Sequence, residues 1–245
     1  MGSRFISAVA LYGPKAGPVR DFLAGVQALI AGQVGRDFRP YSLEQIHATL
    51  IALNAVRDPA TGMIVNEYFL EHAGAGVEMD LRRAMRILAA HFADPLAVRI
   101  GGWRPDRPAP FLSRGVPLHE RAFSVQRNAF VLIGWPVAAI DGNGRPLDSL
   151  RRDMNAAGVL HKYHRRDADV DDDLYLVVGH HAGAPASAVE RAAEAVRDKL
   201  ADEPLDVAIG LGDVTIVAAD SHTLAPPVFT GTVPVEEAVL RALMP

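Results

Sequence analysis

The segment Gln45-Ile46-His47-Ala48-Thr49-Leu50-Ile51-Ala52-Leu53 sets a histidine and a threonine two residues apart in an apolar run. In an extended chain alternate side chains share a face. His47 and Thr49 then point one way, and Ile46, Ala48 and Leu50 the other. A polar pair on one face of an apolar strand needs a hydrogen-bonding partner or water. Imidazole titrates near neutral pH and can give or take a proton. A threonine hydroxyl beside it can donate to a phosphate oxygen. The same pattern also fits a half-exposed strand whose His47 and Thr49 simply face water.

Two further segments carry chemistry-bearing residues. His161-Lys162-Tyr163-His164-Arg165-Arg166 joins two histidines, three permanent cations and an aromatic ring, a composition that suits an anionic ligand. It equally suits a solvated loop whose charges offset the aspartates that follow. Those aspartates, in Asp167-Ala168-Asp169-Val170-Asp171-Asp172-Asp173, are spaced like oxygen ligands. An EF-hand loop counted from Asp167 needs Gly at its sixth position and Glu at its twelfth. Asp172 and Val178 stand there, so the motif fails, and the run reads as a solvated approach to a strand with ion pairs to Arg165 and Arg166. Trp103, followed by Arg104 and Arg107 on a Pro-rich loop, offers a ring for stacking and cations beside it. His180-His181 reads as an exposed turn after a strand ending at Gly179.

Composition narrows the classes. The chain has 245 residues and no cysteine, which excludes disulfides, thiolate metal sites and cysteine nucleophiles. A net charge of −4 argues against a broad basic face for duplex DNA. Apolar residues make up 49% and charged ones 22%, a globular balance. No apolar run approaches the length of a membrane span. Met1-Gly2-Ser3-Arg4-Phe5 lacks the pattern of a secretory leader, and Ile6 stands where a myristoylation motif has Ser or Thr. The expected location is cytoplasmic, with no membrane partner; the sequence leaves the oligomeric state open.

The elements that must position these residues follow from apolar spacing and turn signals. Strands are expected at Phe5–Tyr12, Gln45–Leu53, Leu96–Trp103, Asp173–Gly179, Leu205–Leu211 and Val214–Ala219, with a hairpin pair at Arg121–Gln126 and Asn128–Trp135. Helices are expected at Pro18–Ala31, Met79–Phe92, Leu147–Ala157 with Asp148 as N-cap, Ser187–Leu200 and Val235–Leu243. Asp141-Gly142-Asn143-Gly144 marks a turn past the midpoint, after which a similar series of elements begins. No phosphate-binding glycine loop, serine-hydrolase elbow or zinc-protease motif is present. The class is α+β.

On these residues Gln45–Leu53 resembles the His-x-Thr strand of the two-histidine phosphoesterases, the superfamily of bacterial 2′-5′ RNA ligase-like proteins and cyclic phosphodiesterases. The order of elements is similar from Phe5 to about Phe229. The resemblance implies a single bilobal domain over 1–245, with two similar halves near 1–140 and 141–245. Each half would hold a mainly antiparallel sheet packed by helices around a central cleft, with strands exchanged between lobes. It also implies hydrolysis of a 2′,3′-cyclic or 2′-5′ phosphodiester by one histidine as base and one as acid. No metal or cofactor is implied, and the substrate would be a small nucleotide or an RNA end. His47 and Thr49 match the first motif. No second His-x-Thr stands in Asp171–Gly179; the missing His falls on Asp173 or Tyr175, and the missing Thr on Tyr175 or Val177. The expected catalytic set is therefore His47, Thr49, Tyr175 and Asp173, with His161, Tyr163, His164, Arg165 and Trp103 binding substrate. A member that binds nucleotide or phosphate without turnover, or one reusing the fold for acid–base chemistry on another small molecule, fits the same departure.

Overall fold

Period-two apolar runs bounded by Gly, Pro and Asn become strands here, and period-3.6 runs become helices. A computed structural model describes residues 4–73, 76–107 and 109–245; Gly2, weighed above for lipidation, lies outside them. In chain order the first elements are β1 (Phe5–Ala10), α1 (Gly17–Val34), β2 (Phe38–Pro40), β3 (Ala48–Ala52), β4 (Ala55–Arg57), β5 (Ile64–Asn66), α2 (Glu67–Ala73) and α3 (Leu81–His91). Next come β6 (Leu96–Ile100), β7 (Leu112–Ser113), β8 (Val116–Pro117), α4 (Leu118–Arg121), β9 (Phe123–Gln126), β10 (Ala129–Pro136), α5 (Val137–Ile140) and α6 (Pro146–Asp153). The chain closes with β11 (Leu174–His181), α7 (Ala186–Asp202), β12 (Leu205–Ile209), β13 (Val214–Ala219), β14 (Pro227–Thr232) and α8 (Glu237–Leu243). The fold is α+β. Among the described residues no helix is long and apolar enough to cross a membrane.

Ten strands form one antiparallel sheet, ordered β12-β6-β10-β11-β3-β1-β13-β14, with β2 beside β11 and β9 beside β10. The order contains two runs of four strands. They meet where β11 lies against β3, through the single pair Leu176–Ala48. Each run mixes early and late strands: β1 pairs with β13, and β6 with β12. The pattern Leu205–Leu211 then Val214–Ala219 invites a hairpin, but these neighbours in sequence go to opposite ends of the sheet. Helix α1 packs along α7 and against β11, while α6 lies against β3 and α3 against α6 and α8. Burying the alternate residues Leu174, Leu176 and Val178 with Phe130, Leu132, Val26 and Ile30 gives the core here.

Two β-bulges shape the seam. Between β1 and β3 the register passes from Ala8–Ile51 to Val9–Thr49, which leaves Leu50 as an extra residue. Between β10 and β11 it passes from Phe130–Gly179 to Val131–Val177, leaving Val178 extra. A bulged residue loses its ladder partner, so its buried carbonyl needs another donor. Gln27 Nε2 (2.8 Å) and Tyr41 N (3.1 Å) serve Val178. Arg151 of α6 serves Leu50 through Nε at 3.1 Å.

Arg151 does more than that. Its side chain is 2% exposed. Nη1 donates to Asp171 O (2.8 Å), and Nη2 to Asp173 O (3.0 Å) and Thr49 O (3.4 Å). One guanidinium thus ties β3 to the backbone leading into β11, where direct pairing is down to one residue pair. Asp171 Oδ2, 3.4 Å away, supplies the countercharge. Arg151→Met keeps the volume but leaves several buried carbonyls without donors and Asp171 without one of its cations. It is expected to lower the unfolding free energy by about 3–5 kcal/mol in urea denaturation. A loss below about 1 kcal/mol would show that the seam holds without it.

Candidate functional site

The pair Ala48–Leu176 settles which side chains share a face at the seam. Paired residues in an antiparallel ladder point to the same side and alternate along each strand. Ala48 and Leu176 are both buried in the core. His47 and Thr49 therefore share the opposite face with Tyr175 and Val177. The local two-fold of the pair relates His47 to Tyr175 and Thr49 to Val177. His180 adds an unexpected member. Pairing continues past Gly179 to His181 because β2 takes over beside β11. The bulge at Val178 shifts the alternation, so His180 returns to the face of Tyr175 and Val177. Its ring lies 5.2 Å from that of Tyr41. The bulge places it there, and Gly179, where a Cβ would collide with Arg39 O and the Phe38 ring, is its local mark.

His47 stands just before β3 rather than within it. Its Nδ1 is 2.7 Å from the Gln45 carbonyl. A carbonyl only accepts, so Nδ1 carries the hydrogen and Nε2 of the neutral ring is left as a base. Burial holds this imidazole below its ordinary pKa; the Gln45 bond opposes that, and the charge of Lys15 adds to it. The Tyr12 ring packs 5.7 Å away. Lys15, whose ammonium bonds to the carbonyls of Gly13 and Leu43, is pushed down to about 8 by burial, against the pull of Glu44. Nothing in the sequence singled out Lys15.

Across the seam, Asp173 and Tyr175 differ sharply in availability. Asp173 Oδ1 accepts from Ser113 Oγ and Trp135 Nε1, each at 2.7 Å. Its Oδ2 accepts from Arg121 Nη2 at 2.9 Å and lies 3.5 Å from Arg114 Nε. Both oxygens are committed to protein donors, which leaves no lone pair poised to act as a base. The Tyr175 oxygen accepts from Arg121 and, at 3.4 Å, from Gln126 Nε2. Among the described residues no acceptor takes its hydroxyl proton. Arg114 lies over the Tyr163 ring at 3.9 Å and the Tyr175 ring at 5.6 Å. Three guanidiniums (Arg114, Arg121, Arg151) meet two carboxylates (Asp171, Asp173) here. Asp172 also faces Arg151, so the cluster is close to charge balance.

The residues expected to bind substrate do not gather at one place. His161 and His164 are each only 6% exposed. His161 Nε2 bonds to Asp171 Oδ2 at 2.8 Å. Burial pushes its pKa down to about 4 against the pull of Asp171. His164 Nε2 lies 2.9 Å from Asp148 Oδ1 but out of line for a hydrogen bond. Tyr163 is exposed beneath Arg114, and Arg165 is exposed on the turn bound to Asp169. Trp103 belongs to a separate cavity of about 180 Å³. A shallower groove of about 550 Å³ lies between α3 and residues 234–238. His47 lines neither.

The aspartate run departs from the solvated reading. Asp169 does pair with Arg166 at 2.9 Å, but Asp171, Asp172 and Asp173 are buried. Asp148 is not the N-cap of α6; it lies inside the helix, where it accepts from Asp171 N and Arg152. The carboxylate of Asp172 takes that capping role instead, accepting from Leu147 N (2.9 Å) and Asp148 N (3.0 Å). Its other oxygen is buried with no partner among the described residues. Burial pushes Asp172 up to about 6, against those two N–H bonds and with the charge of Asp148.

A carboxyl with a higher pKa folded than unfolded stabilises the fold while protonated, and that contribution is lost as pH rises through the folded pKa. Asp172→Asn is therefore expected to stabilise the protein by about 1–3 kcal/mol at about pH 8, with the difference vanishing below about pH 4. Guanidinium unfolding at both pH values checks this; a variant no more stable than wild type at the higher pH contradicts it.

No protein-family model matches the chain, and no curated protein does.

Proposed function

We propose that the protein hydrolyses a cyclic or 2′-5′ phosphodiester of a nucleotide or RNA end, with His47 as general base. The supporting observation is the Gln45–His47 hydrogen bond, which leaves Nε2 as a lone-pair base on the face it shares with Thr49 and Tyr175. In this reading Nε2 takes the proton of a water that attacks phosphorus. The new P–O bond forms as the bond to the ribose 2′ or 3′ oxygen breaks. Tyr175 gives its hydroxyl proton to that leaving oxygen, with Arg121 steadying the phenolate oxygen until solvent returns a proton. Thr49 donates to a non-bridging oxygen, and the Arg114 and Arg121 guanidiniums over the Tyr175 ring meet the phosphate charge. Asp173 acts by holding Arg121, hence as a positioning residue.

His47→Gln is expected to cut turnover of a 2′,3′-cyclic nucleotide by at least about 100-fold without changing thermal unfolding. Unchanged turnover sinks the proposal. Protonating His47 removes the base, so the rate should fall on the acid side with an apparent pKa below the ordinary imidazole value of about 6.5. Tyr175→Phe is expected to lower kcat by about 10-fold or more while leaving KM within about twofold.

One observation favours a second reading, phosphate binding without turnover. Val177 stands where the two-fold calls for a second Thr, so the phosphate would lack one hydroxyl donor. That reading predicts that 2′,3′-cyclic nucleotides bind in calorimetry and yield no product.

A further inference from the structure

The cavity beside Trp103 shares no lining residue with the His47 face and is built on a backbone that only glycine allows. Gly101 and Gly102 both have positive φ, +86° and +85°. A Cβ on Gly101 would collide with the Leu200 carbonyl oxygen, and Gly102 N donates to that same oxygen at 2.7 Å. This turn delivers Trp103 from the end of β6. Trp135 backs it edge-on, ring centroids 6.1 Å apart. Trp135 is itself fully buried and pinned through its N–H to Asp173. Trp103 is therefore a rigidly mounted wall.

The rest of the lining is Arg104, Arg107, Ala109, Pro110 and His119. Arg104 is paired with Asp202. His119 Nε2 lies 3.6 Å from a Glu120 oxygen. Arg107 has no carboxylate partner among the described residues, although the chain is acidic overall. A cation without a carboxylate partner beside one aromatic wall suits a ligand that is anionic and flat. Size limits it further. A cavity of about 150 Å³ accommodates benzene, so about 180 Å³ takes one ring and a small charged group, too little for a whole nucleotide.

We propose that this cavity is a binding site for a single-ring aromatic carboxylate, its ring against Trp103 and its carboxylate on Arg107. Benzoate is the probe. Because Trp135 is buried, quenching of indole fluorescence reports on Trp103, and calorimetry gives the affinity independently. Benzoate is expected to bind saturably with Kd at or below about 1 mM. Benzamide, which lacks the charge, acetate, which lacks the ring, and benzoate with Arg107→Gln are each expected to bind at least about 10-fold more weakly. Arg107 is on the surface, so the variant should unfold at the wild-type temperature. No saturable response to benzoate up to about 10 mM overturns the proposal. So does equal affinity for benzamide, or wild-type affinity in Arg107→Gln.

Discussion

The Arg151 guanidinium is the contact on which the arrangement of the seam depends. Two four-strand runs meet through one residue pair, at a point where β3 also carries a bulge. A seam so sparsely paired would leave several backbone carbonyls without donors in a dry interior, each at a cost of about 1–3 kcal/mol. A guanidinium has five N–H groups in a fixed plane and can serve several acceptors on two strands at once. Arg151 does so for Thr49, Leu50, Asp171 and Asp173. Its charge then requires a buried anion, and Asp171 answers, held ionised by His161 and Arg114 as well. The buried histidines and aspartates are largely a consequence of that one choice.

The same constraint separates the side chains that brace the seam from those left open to a ligand. Asp173 is consumed by Ser113, Trp135 and Arg121, and Asp171 by Arg151 and His161. Arg121, once held by Asp173, is directed at the Tyr175 oxygen. The Tyr175 proton, the Thr49 hydroxyl and the His47 Nε2 lone pair are groups on this face with unspent hydrogen-bonding capacity among the described residues. Trp135 connects this network to Trp103 and so links the braced seam to the outer cavity.

Much of the scaffold was legible locally. Helices α1, α3 and α7 and strands β1, β10 and β13 follow from apolar period, within a residue or three at each end. The misses share a cause. β2, β4, β5 and β14 are short or carry Pro and Gly, and they are strands only because a neighbour supplies the ladder. His180 was placed past the strand end because Gly179 resembles a terminator, whereas β2 extends the pairing through it. At the site, His47 and Thr49 were readable because an alternating strand announces its own polar face. The aspartates read as solvated and His161 and His164 as ligand-binding, yet all are buried, since charge in sequence says nothing about burial; only buried counterions decide that.

By itself the sequence determined the class, α+β, through two periodicities that local sterics and burial enforce. It also determined the polar pair His47 and Thr49 at the entry to β3, because that spacing works within a single extended segment. Which strands become neighbours was a tertiary decision, since a strand edge is satisfied equally well by any partner in register. The bulges at Leu50 and Val178 were decided there too, as were the burial of Arg151 and the division between committed Asp173 and uncommitted Tyr175. Each depends on donors and acceptors drawn from distant parts of the chain, and their supply exists only once the sheet has closed around them.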